Sequence, residues 1–142
     1  MSISVRLHLS ADQAEILRQA AAAAYPHECC GLLVGEGESA IVITEIVPTP
    51  NTADDPRRAF SIDPQAQFDL LRRVRDGKGR VVGHYHSHPN GKSELSSHDR
   101  AMAHDPATVW IVMPVADARA GAPRAYRCTA ADAVAEMAID VS

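Results

Sequence analysis

Aromatic residues are few in this sequence and make up only 4% of its 142 residues. A core built from it must therefore consist mostly of valine, isoleucine, leucine and alanine. Runs of basic residues are absent too, since no stretch of lysine and arginine exceeds two residues and the formal net charge is −4. This argues against nucleic acid or an anionic membrane surface as the main partner. No apolar run approaches the roughly 20 residues that a membrane-spanning helix needs.

Cysteine is scarce as well, and its three copies are an odd number. Cys29 and Cys30 are adjacent, which is a poor geometry for a disulfide, so we expect free thiols in a reducing compartment. The first nine residues lack the basic start and the unbroken apolar stretch of a signal peptide. We therefore expect a cytoplasmic protein. Its length and its 46% hydrophobic content fit one domain, residues 1–142, that needs no disulfide.

Hydrophobic periodicity predicts a mixture of strands and helices, and hence an α/β sandwich with a mixed sheet. Ser10 and Gln13 form a capping-box pattern at the start of the first helix. The second helix is expected to bury Phe68, Leu71 and Val74. Strands are predicted at 3–9, 31–35, 40–47, 59–62, 81–88 and 108–115, helices at 11–24 and 64–77, a long loop at 48–58, and short strands or a strand and a helix at 125–128 and 134–141.

Three histidines alternate along the strand predicted at 81–88, so the side chains of His84, His86 and His88 share one face. The rise of a strand separates His86 from His88 by about 6.6 Å, a span that two imidazoles can close around one metal ion. His84 and His88 lie about 13 Å apart by the same rise, too far to bind one ion together. One ion therefore takes an adjacent pair, and we expect His84 to pack in the interior or to support a ligand.

A carboxylate suited to the same ion follows shortly after these histidines. Ser96 and Asp99 fit the first turn of a helix, where residues three apart point the same way. The pair also fits a capping box, which is a purely structural role. A His-His-Asp set with water in the fourth position suits a catalytic zinc ion, because the ion lowers the pKa of bound water toward about 7.

These motifs resemble the JAMM (MPN-plus, JAB-domain) family of zinc metalloproteases, in its small prokaryotic stand-alone form. The run His86-Ser87-His88-Pro89, followed by Ser96 and Asp99, matches the zinc signature of that family. The segments at 25–31 and 60–64 are also similar to the small prokaryotic members, and the resemblance extends over residues 3 to 140. It implies an α-β-α sandwich with a mixed, mostly antiparallel central sheet, as in JAMM proteins and cytidine deaminases.

The resemblance also implies a role for each site residue. His86, His88 and Asp99 would hold one Zn²⁺ per chain. Glu28 would be the general base that acts on the zinc-bound water. Ser96 would donate a hydrogen bond to the reacting carbonyl oxygen.

The activity implied by the resemblance is hydrolysis of the (iso)peptide bond after Gly-Gly of a ubiquitin-like or sulfur-carrier protein. An isopeptidase that removes such a modifier from lysine is the alternative among enzymes, and a non-catalytic scaffold is the alternative from another class. Retention of all five site residues argues against a scaffold. The sequence lacks the Pro-Cys-x-x-Cys ligand pair of a cytidine deaminase. The carrier protein is the expected partner, and a homodimer is left open.

Three further residues near the long loop are candidates for substrate binding. Asn51 belongs to the part of the chain that is similar to the small prokaryotic members. Arg57 and Arg58 are either an ordinary solvated pair or a grip for a carboxylate or an acidic face of the substrate.

Overall fold

The computed structural model describes residues 5–130 and 133–142. Ile3, at the start of the first predicted strand, lies outside these residues. The predicted strand at 59–62 is wrong, because this segment forms only an isolated bridge between Ile62 and Asn51. The elements are β1 (Arg6–Leu9), α1 (Ala11–Ala24), β2 (Cys30–Glu36), β3 (Ala40–Thr49), α2 (Pro64–Val74), β4 (Arg80–His88), α3 (Ser97–Ala101), β5 (Val109–Ala116), β6 (Arg119–Ala120), β7 (Arg124–Ala130) and β8 (Ala133–Val141).

In the described part of the chain the strands form one mixed sheet in the order β4-β2-β3-β1-β8-β7-β5-β6. The pairs β1–β3, β1–β8 and β4–β5 are parallel. The pairs β2–β3, β2–β4, β5–β6, β5–β7 and β7–β8 are antiparallel, so the sheet is mostly antiparallel, as expected. Because β4 pairs with β5 as well as with β2, the sheet closes on itself. Gly83 permits this closure, since a Cβ there would overlap the Val109 carbonyl.

Helix α1 covers one face of the sheet. The predicted capping box is present, with Ser10 as the N-cap and Gln13 as its partner. Leu17 and Ala21 of α1 are fully buried in the main core, where Leu33 of β2 joins them. This core also contains Leu7, Leu9, Ile41, Ile43, Val82, Tyr85, Val109, Ile111, Met113, Val115, Ala125 and Met137.

Helix α2 covers the opposite face, because Leu70 packs on Leu32 and Val34, which alternate with Leu33 along β2. The prediction that Phe68 and Leu71 are buried is wrong, since their exposed fractions are 54% and 48%. The helix is rotated so that Leu70 and Val74, four residues apart, face the sheet instead. The three layers are therefore α-β-α, as predicted. Within the described ranges, no helix is long and apolar enough to cross a membrane.

Candidate metal centre and active site

Two histidines at the end of β4 face each other and a carboxylate. His86 and His88 are 0% and 5% exposed, and their Nε2 atoms lie 2.9 Å apart. Asp99 Oδ2 lies 3.1 Å from His86 Nε2 and 3.0 Å from His88 Nε2. Ligand atoms of a tetrahedral zinc ion at 2.0–2.1 Å are separated by about 3.3 Å, close to the sides of this triangle. Two imidazole nitrogens and one carboxylate oxygen are also the donor types that zinc prefers.

Asp99 reaches the histidines because it lies in the first turn of α3. Ser96 is the N-cap: its Oγ accepts a hydrogen bond from the Asp99 N–H, and its own N–H donates to Asp99 Oδ2. The carboxylate of Asp99 therefore has two roles: it closes the capping box, and it is the candidate metal ligand. Ser96 itself is exposed, and its hydroxyl group accepts from Asp99 N–H while keeping its own hydrogen available to donate.

The backbone and an aromatic ring orient the two histidines. His88 Nδ1 lies 3.2 Å from the Lys92 carbonyl oxygen. Because a carbonyl oxygen can only accept, Nδ1 carries the hydrogen and Nε2 of the neutral ring keeps its lone pair toward the centre. The ring of Phe60 stacks on the ring of His86, with centroids 4.2 Å apart and planes at 20°. In the sequence, Phe60 is only part of the segment at 60–64 that is similar to small prokaryotic family members. Its stacking on His86 could not be predicted, because the fold brings the two residues together.

Glu28, in the turn between α1 and β2, completes the cluster. One of its carboxylate oxygens and one ring nitrogen from each of His86 and His88 lie within 4.8 Å of one another. The carboxylate is 6% exposed, and its Oε1 atom has no hydrogen-bond partner among the described residues. Burial raises the pKa of Glu28 to about 7, with His88 opposing the shift and Asp99 adding to it. A carboxylate with such a pKa can exchange protons near neutral pH.

The charges inside the triangle favour an ionised carboxylate. Burial acts to raise the pKa of Asp99, but the hydrogen bonds to His86 and His88 outweigh it and hold that pKa well below its usual range. Burial lowers the pKa of His86 in spite of Asp99. For His88, the interactions with Asp99 outweigh burial and raise the pKa.

His84 lies outside this cluster. Its ring packs edge-on against Trp110, with centroids 4.3 Å apart, and it is tilted against Phe60 at 5.5 Å. Burial first, and then the neighbouring His86, lower the pKa of His84 to about 3, so the ring is neutral. The adjacent pair that faces Asp99 is therefore His86 and His88, and His84 packs in the interior as expected.

The candidate site opens into a cleft of about 750 Å³. Glu28, His88 and Ser96 line it, and Arg57 and Arg58 do so at its rim. Both arginines are exposed, and Arg58 Nε lies 3.8 Å from Asp55 Oδ2. The cleft also contains Lys92 and Arg100, two cations that sequence reasoning did not single out.

The side-chain amide of Asn51 is fully engaged in hydrogen bonds to the backbone. Its Nδ2 donates to the carbonyl oxygens of Glu28 and Ala59, both at 3.0 Å. Its Oδ1 accepts from the N–H groups of Ala53 and Ser61, also at 3.0 Å. An asparagine side chain has two donors and two acceptor sites, and all four are used. The side chain of Asn51 therefore binds the backbone around Glu28, and substrate binding by Asn51 stays a prediction.

Comparisons with known proteins give the similarities of the whole chain. A family model described as prokaryotic homologs of the JAB domain matches residues 10–129. A desampylase of Haloferax volcanii is 34% identical over 113 residues, which cover 77% of this chain and 81% of that protein. A probable TtuB-protein conjugate cleaving protease of Thermus thermophilus is 31% identical over 91 residues, 64% of this chain and 55% of that protein.

Solved structures confirm the predicted fold class. The solution structure of a protein from Desulfitobacterium hafniense superposes with a TM-score of 0.82 at 25% identity, covering 96% of this chain and 92% of that one. The crystal structure of a JAB1/MPN domain protein from Archaeoglobus fulgidus gives a TM-score of 0.55 at 16% identity, covering 98% and 99% of the two chains. At that identity the second likeness shows the fold alone.

Proposed function

The chain belongs to the family of prokaryotic JAB-domain proteins, and from this premise we propose that it is a zinc-dependent peptidase that deconjugates small carrier proteins. The bond it hydrolyses follows the Gly-Gly end of a ubiquitin-like or sulfur-carrier protein. The observation that carries the proposal is the triangle of His86 Nε2, His88 Nε2 and Asp99 Oδ2, with a buried, unpartnered Glu28 oxygen beside it.

His86, His88 and Asp99 are the residues proposed to hold the zinc ion. The donor set fits, since the hydrogen on His88 Nδ1 leaves Nε2 as the metal-binding atom of the neutral ring and the carboxylate of Asp99 is ionised. When bound, zinc supplies polarisation of the substrate carbonyl and a lowered pKa for water. Glu28 is not needed as a fourth protein ligand and is left free for proton transfer.

Glu28 and Ser96 supply the proton and hydrogen-bond chemistry. Oε1 of Glu28 has no hydrogen-bond partner in the described part of the chain, so it can accept a proton from the attacking water. Its raised pKa lets the protonated carboxyl group then donate to the leaving amine. The Ser96 hydroxyl donates to the carbonyl oxygen as negative charge develops there, a type of contact whose loss costs about 2.7–4 kcal/mol.

The cleft and the relatives support the class of substrate. A Gly-Gly segment suits a cleft walled by the loops at 51–61 and 89–96, because glycine has no Cβ to collide with either wall. Arg57 and Arg58 at the rim are placed to pair with acidic groups of the carrier protein. The name of the Thermus thermophilus relative refers to cleavage of a protein conjugate. This favours an isopeptide bond to lysine as the second candidate bond.

The test uses one small β-grasp carrier protein that ends in Gly-Gly, in two forms. In one form a peptide extends the carrier from its C-terminus, and in the other the carrier is joined to a lysine side chain. Zinc-loaded protein should cut immediately after Gly-Gly in at least one form, as mass spectrometry would show. A carrier in which Gly-Gly is replaced by Ala-Val is the matched control.

Three outcomes separate the candidate functions. Cleavage of one form alone identifies the bond type. Equal cleavage of the Ala-Val control would leave only an unspecific peptidase. A protein that binds zinc and cuts neither form would be a scaffold, and the proposal would be abandoned.

A further inference from the structure

The loop at residues 51–61 is organised around one side chain. Asn51 makes four hydrogen bonds of 3.0 Å each, to the backbone of Glu28, Ala53, Ala59 and Ser61. Three of these close the loop on itself and the fourth leaves it for Glu28. We call this segment the clamp loop.

The clamp loop holds the backbone of Glu28 from both sides. The Asn51 Nδ2 group donates to the Glu28 carbonyl oxygen at 3.0 Å. On the other side the Glu28 N–H donates to the Pro56 carbonyl oxygen at 2.7 Å. Both hydrogen-bonding groups of the Glu28 peptide backbone are thus bound by one loop, at a point in the chain where Glu28 belongs to neither a helix nor a strand.

The same loop contacts the candidate metal centre a second time. Phe60 lies one residue after Ala59, whose carbonyl oxygen accepts from Asn51. The Phe60 ring stacks on His86 at 4.2 Å. A shift of the clamp loop would therefore move the support of Glu28 and the platform of His86 together.

We propose that Asn51 is a positioning residue for the reaction and acts through Glu28. This inference rests on the proposed function, in which Glu28 moves the proton. Among the residues that the structure describes, Oε1 of Glu28 has no hydrogen-bond partner, so its carboxylate depends on its backbone for its position. Displacement of a reacting group by about 1 Å can lower a rate on the order of 100-fold.

The test compares two substitutions in the clamp loop. Asn51→Asp has nearly the same size but loses both Nδ2 donors, including the one to Glu28. Thr52→Val is the matched control, because it removes the hydrogen bond from Thr52 Oγ1 to the Ser61 carbonyl (3.1 Å) and touches no part of Glu28. If Asn51→Asp does not fold, Asn51→Ser, which is short and uncharged, takes its place.

Kinetics on the Gly-Gly carrier fusion should separate positioning from general damage. For Asn51→Asp we expect kcat to fall about 10- to 100-fold with KM changed less than about 2-fold. Thr52→Val should leave both constants within about 2-fold. In a Glu28→Gln background, Asn51→Asp should lower the remaining rate by less than about 2-fold, because the group it positions is already gone.

A readout independent of activity tests the contact itself. Amide hydrogen exchange of the segment that contains Glu28 should speed up in Asn51→Asp and not in Thr52→Val. The inference is wrong if Asn51→Asp lowers the rate of the Glu28→Gln protein by the same factor as the rate of the unaltered protein. It is also wrong if hydrogen exchange around Glu28 is unchanged in Asn51→Asp. If the unaltered protein cuts no fusion, the proposed function fails, and exchange still decides whether Asn51 holds Glu28.

Discussion

Ser96 and Asp99 hold each other by two reciprocal hydrogen bonds, from Asp99 N–H to Ser96 Oγ (3.0 Å) and from Ser96 N–H to Asp99 Oδ2 (2.9 Å). The helix they begin has only five residues, Ser97–Ala101, and is too short to be stable without such contacts. The Asp99 oxygen that closes the capping box also faces both histidines. The start of this helix and the geometry of the centre are therefore coupled.

Removal of the Ser96 hydroxyl should lower both the stability of the protein and its rate. Ser96→Ala loses the cap, so we expect the free energy of unfolding to fall by about 1 kcal/mol. It also loses the donor to the carbonyl oxygen, so kcat should fall about 100- to 1,000-fold. Urea unfolding and kinetics on the carrier fusion measure the two effects.

Ser10→Ala is the control for this variant, because Ser10 forms the same type of capping box on α1, away from the site. It should lose a similar amount of stability and keep its kcat. A kcat of Ser96→Ala within about 3-fold of the unaltered protein would exclude Ser96 from the reaction.

Variants of the three proposed ligands should differ from a variant of His84 in their zinc content. Purified protein is expected to hold one zinc per chain, and His86→Ala, His88→Ala and Asp99→Ala should each lose most of it, since three protein ligands are the usual minimum of a catalytic site. His84→Ala should keep zinc, because His84 packs on Trp110 instead of facing Asp99. Elemental analysis decides between them. Full zinc in His88→Ala together with loss in His84→Ala would show that the ligand pair is wrong.

The parts of the site that short-range periodicity determines could be predicted from the sequence. Alternation along β4 places His86 and His88 on one face, and the spacing of Ser96 and Asp99 sets the first turn of α3. Both are relations between residues two or three apart, for which the backbone geometry is known in advance. The same holds for Ser10 and Gln13 at the start of α1.

The parts that depend on distant contacts could not be predicted. Residues 59–61 alternate like a strand, but their backbone groups bind the Asn51 side chain instead of another strand. The buried face of α2 is chosen by Leu32 and Val34 of β2, so Leu70 is buried and Phe68 is exposed. Closure of the sheet by β4 and β5 joins strands that neither periodicity nor turn residues relate.

The adjacent thiols should be inert toward alkylation in the folded protein. Burial raises the pKa of Cys29 to about 11, with a hydrogen bond from Ser87 opposing it, and Cys30 is buried with its pKa raised as well. Because only the thiolate reacts, labelling of Cys29 by iodoacetamide at pH 7 should be at least about 100-fold slower than in the unfolded chain.

Mass spectrometry with and without guanidinium measures this difference, and the unfolded chain should take up three labels. Activity should survive the treatment of the folded protein. Rapid labelling of Cys29 with loss of activity would instead give this thiol a part in the reaction.

The last prediction concerns the stability of the metal-free protein. Burial raises the pKa of Glu28 from 4.5 to about 7, so the folded state binds more protons than the unfolded chain between these values. The stability contributed by the protonated form is fully present below pH about 4.5 and is lost as pH rises through about 7. At pH 8 a charged carboxylate is buried, and none of the described residues forms a hydrogen bond with its Oε1.

Glu28→Gln should therefore stabilise the metal-free protein at pH 8, by on the order of 1–3 kcal/mol, while it should have little effect at pH 4.5. Urea unfolding after removal of metal by EDTA measures this difference at the two pH values. Glu94→Gln, at an exposed position on the same cleft, is the control and should change neither. Equal stability of Glu28→Gln and the unaltered protein at pH 8 would mean that Glu28 is solvated, and its proposed role as a base with a raised pKa would be lost. A stabilising effect confined to high pH, in a variant that no longer cuts the carrier, would be the trade of stability for function that a buried catalytic carboxylate requires.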